Sequence, residues 1–143
     1  MILVDANLLI YAIDADSPHH QQARQWLETV LSGDEETGFA WIVILAFIRI
    51  TTHSRIMRAP LDPARAIGFI DEWLEQPGAR TVSPGEKHWP VLRNLLESSG
   101  TAANLTSDAH LAALALEHGC TIYSADHDFN RFPGLKHVNP VAP

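Results

Sequence analysis

Cys120-Thr121-Ile122-Tyr123-Ser124-Ala125-Asp126-His127-Asp128 reads as a short buried strand that runs into a turn carrying two acids. Ahead of it, the stretch from Asp108 to His118 places Leu111, Ala112, Leu114, Ala115 and Leu116 on one apolar face and stops at Gly119. That is the pattern of a helix closed by a glycine. A helix delivering the chain into a short buried strand is half of a βαβ unit, so this stretch predicts a parallel sheet.

Met1-Ile2-Leu3-Val4 repeats the arrangement at the other end of the chain, a short apolar run ending on an acid, Asp5. It predicts a first buried strand and then a short helix over Asn7 to Asp14. Ser17-Pro18 predicts a capped helix start with proline in the first position, and Ala23, Trp26, Leu27, Val30 and Leu31 carry the helix to Gly33. Phe39 to Ile48 is apolar without a clear period; it is read as a brief strand over Gly38 to Trp41 followed by a buried helix to about Thr52. Asp62-Pro63 opens the next helix, with Ala66, Ile67, Ile70, Trp73 and Leu74 at helical spacing and Pro77-Gly78 beyond its end. Arg80 to Val82 predicts a strand, and Ser83 with Glu86 predicts a capping box for a helix through Val91, Leu92, Leu95 and Leu96. Thr101 to Leu105 reads as a loop, Thr106 or Ser107 as the cap of the helix from Asp108, and Lys136 to Val138 as an edge strand. Strands alternating with helices, with no repeat or linker, predict one α/β domain over residues 1–143, a mostly parallel central sheet flanked by helices.

The 143 residues carry 10 Lys and Arg against 17 Asp and Glu, a formal net charge of −7. That disfavours a protein that coats nucleic acid through a basic surface, but not one that meets phosphates through bound cations. With 46% hydrophobic and 19% charged residues, the composition is globular rather than disordered or fibrous. The single cysteine, Cys120, makes no internal disulfide, and the first residues carry an acid and no Lys or Arg. A reducing, cytoplasmic setting is therefore expected. The longest apolar run, Phe39 to Ile48, is far shorter than the ~20 residues of a bilayer span, so no membrane role is expected.

Ligands of open parallel sheets sit outside the carboxyl ends of the strands. Asp5 ends the first strand, Asp126 follows the second convincing one, and Asp108 begins the helix that feeds it. Acids from opposite ends of the chain can thus converge on one rim. Each also has a plain structural reading: Asp5 as a helix cap, Asp108 as an acid favoured by the helix dipole, Asp126 and Asp128 as turn residues. Their coincidence favours a shared role. Carboxylates gathered without a counter-charge raise one another's pKa values, a divalent cation relieves this, and an all-oxygen set suits Mg²⁺ or Mn²⁺ over Zn²⁺. There is no His-Glu-x-x-His pattern, no Gly-x-Ser-x-Gly elbow and no glycine-rich phosphate loop to support a different chemistry.

Val4-Asp5-Ala6-Asn7, Thr106-Ser107-Asp108-Ala109-His110-Leu111-Ala112-Ala113-Leu114-Ala115 and Ser124-Ala125-Asp126-His127-Asp128-Phe129 together resemble the three acidic motifs of PIN-domain ribonucleases, specifically toxins of the VapC type. The likeness covers nearly the whole chain, down to Arg131-Phe132-Pro133-Gly134-Leu135. It implies a compact α/β fold, a Mg²⁺ or Mn²⁺ site, RNA cleavage, restraint by a cognate antitoxin, and a homodimer. Carried over by position, Asp5, Asp108 and Asp126 are the expected catalytic and metal-site carboxylates. Asn7 and Ser124 are polar neighbours that orient ligands or water, and Asp128 lies behind them or acts as an alternate ligand. One position departs from the family pattern: a Glu is usual early in the helix after the second strand, where Ala46 stands, and Phe39 to Pro60 holds no acid. The departure favours one ion at rest over a permanent pair. It also leaves open an alternative, a catalytically weakened PIN domain that binds RNA or antitoxin without cleavage. An aspartate-nucleophile phosphatase would want an Asp where Asn7 stands.

Arg49, His53, Arg55 and Arg58 form a basic patch with no intervening acid. They are placed either to meet RNA phosphates or to be solvated charges at a helix end. His127, between two acids, is the histidine to weigh for catalysis, while His19, His20 and His110 read as surface or structural residues. Trp26, Trp41, Trp73 and Trp89 read as core or interface aromatics. An inhibitory antitoxin is expected to set an Arg or Lys beside Asp5, Asp108 and Asp126. It is also expected to lay an amphipathic helix in a groove walled by the helices beginning near Asn7 and following Trp41.

Overall fold

Ile2–Val4 forms strand β1, and all three residues are buried. A strand that is apolar on both faces must be covered on both, which is the condition of a parallel sheet with helices above and below. The computed structural model describes residues 1–100 and 102–142 and contains that sheet. Its strand order is β3 (Ala79–Val82), β2 (Thr37–Ala40), β1, β4 (Thr121–Tyr123), β5 (His137–Val138). Every pairing is parallel. Ile2 lies opposite both Thr37 and Thr121, so the residues just after β1 and β4 emerge at the same level.

Between β1 and β2 lie α1 (Ala6–Ile13) and α2 (His20–Leu31), between β2 and β3 lie α3 (Trp41–Thr51) and α4 (Pro63–Leu74), and between β3 and β4 lie α5 (His88–Ser99) and α6 (Thr106–His118). The chain steps outward from β1 to β2 to β3 and then crosses back to β4, so right-handed crossovers put α1–α4 on one face and α5 and α6 on the other. The packing agrees: α1 meets α2 and α3, α3 meets α4, and α5 meets α6.

Under α3 and α4 the core is aromatic. Phe47 packs edge-on against Trp73 at 5.1 Å and Phe69 at 6.5 Å, and Phe39 stacks with Trp73 at 6.5 Å. β2 admits only glycine at position 38, since a Cβ there would stand 2.7 Å from Val82 Cγ2 and 3.2 Å from Leu3 Cδ1. Trp26 stacks on Tyr123 at 5.3 Å, whereas Trp41 and Trp89 are 51% and 63% exposed and are not core residues. Among the described residues no helix is long and apolar enough to cross a membrane.

Three expected caps are corrected. Ser17 accepts from the His19 backbone N–H within a turn, and α2 starts later, at His20, with no side-chain capping hydrogen bond. The Ser83–Glu86 box does not form. α5 begins at His88, and the backbone N–H groups of Gly85 and Lys87 donate instead to the Glu117 carboxylate of α6, at 2.9 and 3.1 Å. Neither Thr106 nor Ser107 caps α6, because a 3₁₀ turn over Ala103–Leu105 leads straight into it and occupies most of the expected loop; Thr101, the first residue of that loop, lies outside the described residues. By contrast Asp62 caps α4 as expected, accepting from Arg65 N at 2.8 Å with Pro63 in the first turn.

Candidate metal centre

β1 and β4 are neighbours, so Asp5 and Ser124 leave the sheet side by side; the Asp5 backbone N–H donates to the Tyr123 carbonyl at 3.0 Å. Asp5 caps α1, its Oδ1 accepting from Ala6 N at 2.7 Å. Its Oδ2 accepts from the Ser124 hydroxyl at 2.7 Å and from Asn7 Nδ2 at 3.4 Å. Ser124 is fully buried, and its Oγ also accepts from Asn7 Nδ2 at 3.1 Å and from the Asp126 backbone N–H at 3.0 Å. Asn7 Oδ1 accepts from Ala125 N at 3.3 Å. Asn7 and Ser124 thus fasten the end of β1 to the turn after β4.

That turn continues as a 3₁₀ turn over His127–Arg131, capped by Asp126, whose Oδ1 accepts from Asp128 N at 2.9 Å. Asp108, in the first turn of α6, comes down beside it. Carboxylate oxygens of Asp108, Asp126 and Asp128 all lie within 4.8 Å of one another. Asp5 is not one of that group; it stands next to it and acts through its charge. Asp128, expected behind the site or as an alternate ligand, is the third carboxylate of this group.

The electrostatics are those of a site short of positive charge. Burial, then the charges of Asp126, Asp5 and Asp128, push Asp108 up to about 6. Burial raises Asp5 as well; the Ser124 hydroxyl and the Ala6 N–H oppose this, Asp126 adds to it, and His137 opposes it weakly. Arg49, Arg55 and Arg58 are exposed at the end of α3 and in the loop beyond, and their guanidinium groups are not among the charges acting on Asp5 or Asp108. Ala46 lies on α3, partly buried against the core. Crowded hard-oxygen donors that repel one another fit a small divalent cation, with Asp108, Asp126 and Asp128 as the residues that would hold it.

His127 is exposed at the start of the 3₁₀ turn. The histidine built into the site is His137 on β5, a residue with no motif to announce it. Its Nε2 lies 2.9 Å from the Ser124 carbonyl, which can only accept, so the proton sits on that nitrogen; its Nδ1 lies 3.0 Å from Asn130 Oδ1. A second polar cluster, also unannounced, joins α5 to α6. His88 Nε2 lies 3.0 Å from His110 Nδ1, and the buried His88 Nδ1 faces Glu117 Oε1 at 3.8 Å. A groove of about 570 Å³ lies away from the carboxylates, between α2 and α4 at the end of α1, with Leu27, Phe69 and Trp73 in its wall and Arg24, Glu28 and Arg65 among its charges. Ala12 and Ile13 at the end of α1 line it, and no residue of α3 does.

The family model for the PIN domain matches residues 2–135. Ribonuclease VapC37 of Mycobacterium tuberculosis is 44% identical over 142 residues, covering 99% of both chains, and Ribonuclease VapC33 of the same organism is 38% identical over 141 residues, again covering 99% of each. Among solved structures, VapBC2 from Rickettsia felis bound to a promoter DNA fragment superposes with a TM-score of 0.72 at 20% identity, covering 97% of this chain and 98% of that one. VapC20 of Mycobacterium tuberculosis, a sarcin-ricin loop cleaving toxin, does so with a TM-score of 0.65 at 17% identity, covering 95% and 99%. These two establish the shared fold. With a full-length family match and relatives well above a third identical end to end, the chain belongs to the PIN-domain family and, within it, to the VapC ribonucleases.

Proposed function

We propose that this protein is a Mg²⁺- or Mn²⁺-dependent endoribonuclease, the toxin of a toxin-antitoxin pair. The observation that carries this reading is the meeting of Asp108, Asp126 and Asp128 within 4.8 Å beside Asp5 on the strand-end rim, where burial and the neighbouring acids push Asp108 up to about 6. A bound divalent ion would supply an activated water and neutralise charge developing on the phosphate. The chain's own part is to fix the ligands. Asp126 is locked by its own N–H to Ser124 and by its Oδ1 to Asp128 N, and Asp108 by α6. Asp5, with both oxygens already accepting hydrogen bonds, holds the Ser124 hub in place and adds negative charge to the site. With Ala46 in place of the family's usual acid, the resting site takes one ion.

The relatives' names support RNA as substrate, and the solved toxin-antitoxin complexes support an antitoxin partner. We assign Arg49, Arg55 and Arg58 to RNA phosphate contact, since they are exposed and carry no acid between them. The groove between α2 and α4 is assigned to the antitoxin helix, and the protein to a cytoplasmic homodimer. Ala46 also favours a second reading, a domain that binds RNA or antitoxin but cuts weakly. Incubating the purified protein with total RNA and Mn²⁺ or Mg²⁺ separates the two. Discrete fragments that vanish with chelator and in Asp126→Asn are expected; intact RNA with retained RNA binding supports the second reading.

A further inference from the structure

The acids of the site attract cations, yet the substrate proposed above brings phosphates, and the site itself must offer them something positive. One side chain is mounted to do so. Arg131 closes the 3₁₀ turn that carries Asp128, and its Nε lies 3.6 Å from Asp128 Oδ1. It is the one Arg or Lys among the described residues within 4 Å of a carboxylate of the site. Its backbone is anchored on both sides by Phe129, fully buried, and Phe132, 3% exposed, whose N–H closes the turn on the Phe129 carbonyl at 3.2 Å. The guanidinium is thus fixed at its root and free at its tip, where the side chain is 60% exposed.

A pair this exposed is weak and exchanges readily. It also involves the very carboxylate that completes the triad with Asp108 and Asp126. A divalent ion held by that triad would draw on Asp128 and repel the guanidinium. The freed Arg131 is then left at the rim with several N–H donors facing outward, the geometry that suits a phosphate. We propose that Arg131 is a substrate-binding residue of this site: it rests on Asp128 in the metal-free protein and is released to an RNA phosphate when a divalent ion binds. This rests on the metal-dependent reading above.

The test compares the full-length protein with Arg131→Ala and Arg131→Lys, using two readouts. Mn²⁺ binding without RNA is followed by the loss of the free-ion electron paramagnetic resonance signal. Binding of a fluorescein-labelled oligouridylate is followed by anisotropy with Ca²⁺ in place of Mg²⁺. Arg131→Ala is expected to bind Mn²⁺ at least as tightly as the wild type, because a competing cation is gone, while oligouridylate affinity falls about tenfold. The slope of log affinity against log salt should shrink by about 0.7, one phosphate contact on a single strand. Arg131→Lys should recover part of the affinity. Unchanged oligouridylate affinity in Arg131→Ala overturns the proposal while leaving the metal reading intact, and weakened Mn²⁺ binding in that variant overturns it by making Arg131 a structural support. Absence of Mn²⁺ binding by the wild type overturns both.

Discussion

Asp108 has a pKa of about 6 because it is half-buried among three other acids, and two consequences follow with opposite signs. In the metal-free protein above pH 6 its ionised form is held against repulsion. A carboxyl whose folded pKa is raised destabilises the fold fully above that pKa, and the penalty fades between the folded value of about 6 and the ordinary value of 3.8. Asp108→Asn should therefore raise the metal-free melting temperature most at pH 7.5, less at pH 5 and hardly at all near pH 3, as differential scanning calorimetry at the three values would show. Metal binding runs the other way. Protons compete for the ligand, so Mn²⁺ affinity of the wild type should fall as pH drops through about 6, and Asp108→Asn should bind Mn²⁺ weakly at every pH.

At the level of elements, the strand-then-acid pattern was legible at both ends of the chain because buried parallel strands read as apolar runs and their exits are the ligand rim. That brought Asp5, Asp108 and Asp126 together on paper. What sequence could not show is which of them lie nearest one another: Asp5 accepts hydrogen bonds from Ala6, Asn7 and Ser124, while the short Asp126–Asp128 turn brings Asp128 within 4.8 Å of Asp108 and Asp126. The start of α5 was misread for a related reason. Ser83 and Glu86 have the local spacing of a cap, but Glu117, over thirty positions away in the chain and 9% exposed, satisfies the free N–H groups instead. The hydrogen bond from the Gly85 N–H lowers the pKa of that carboxylate; burial opposes this, and the Lys87 N–H, His118 and His88 add to the lowering. Its contribution to stability is thus present at neutral pH and persists until the pH falls through that lowered value. Glu117→Gln should lower the melting temperature at pH 7 more than at pH 3. Gly85→Ala should cost about 1–3 kcal/mol in urea titrations, because its Cβ would press on Glu117 Oε2.

At the scale of the whole molecule, the fold separates two tasks. The carboxylates sit where β1, β4 and α6 meet, and the groove proposed for the antitoxin lies apart from them, between α2 and α4. An antitoxin that binds the groove and sends a basic tail to the carboxylates should lose inhibition, but not binding, when that tail is removed; a tail-less antitoxin that still inhibits fully would mean that covering the surface is enough. The central claim is that Asp108, Asp126 and Asp128 form the metal centre. Calorimetric titration of the purified protein with Mn²⁺ at neutral pH, repeated in two buffers of different ionisation enthalpy and with Asp126→Asn, tests it most directly. One ion bound per chain, with proton release traceable to Asp108 and with binding abolished in Asp126→Asn, is the expected result. Binding that is absent from the wild type, or undiminished in Asp126→Asn, would contradict it.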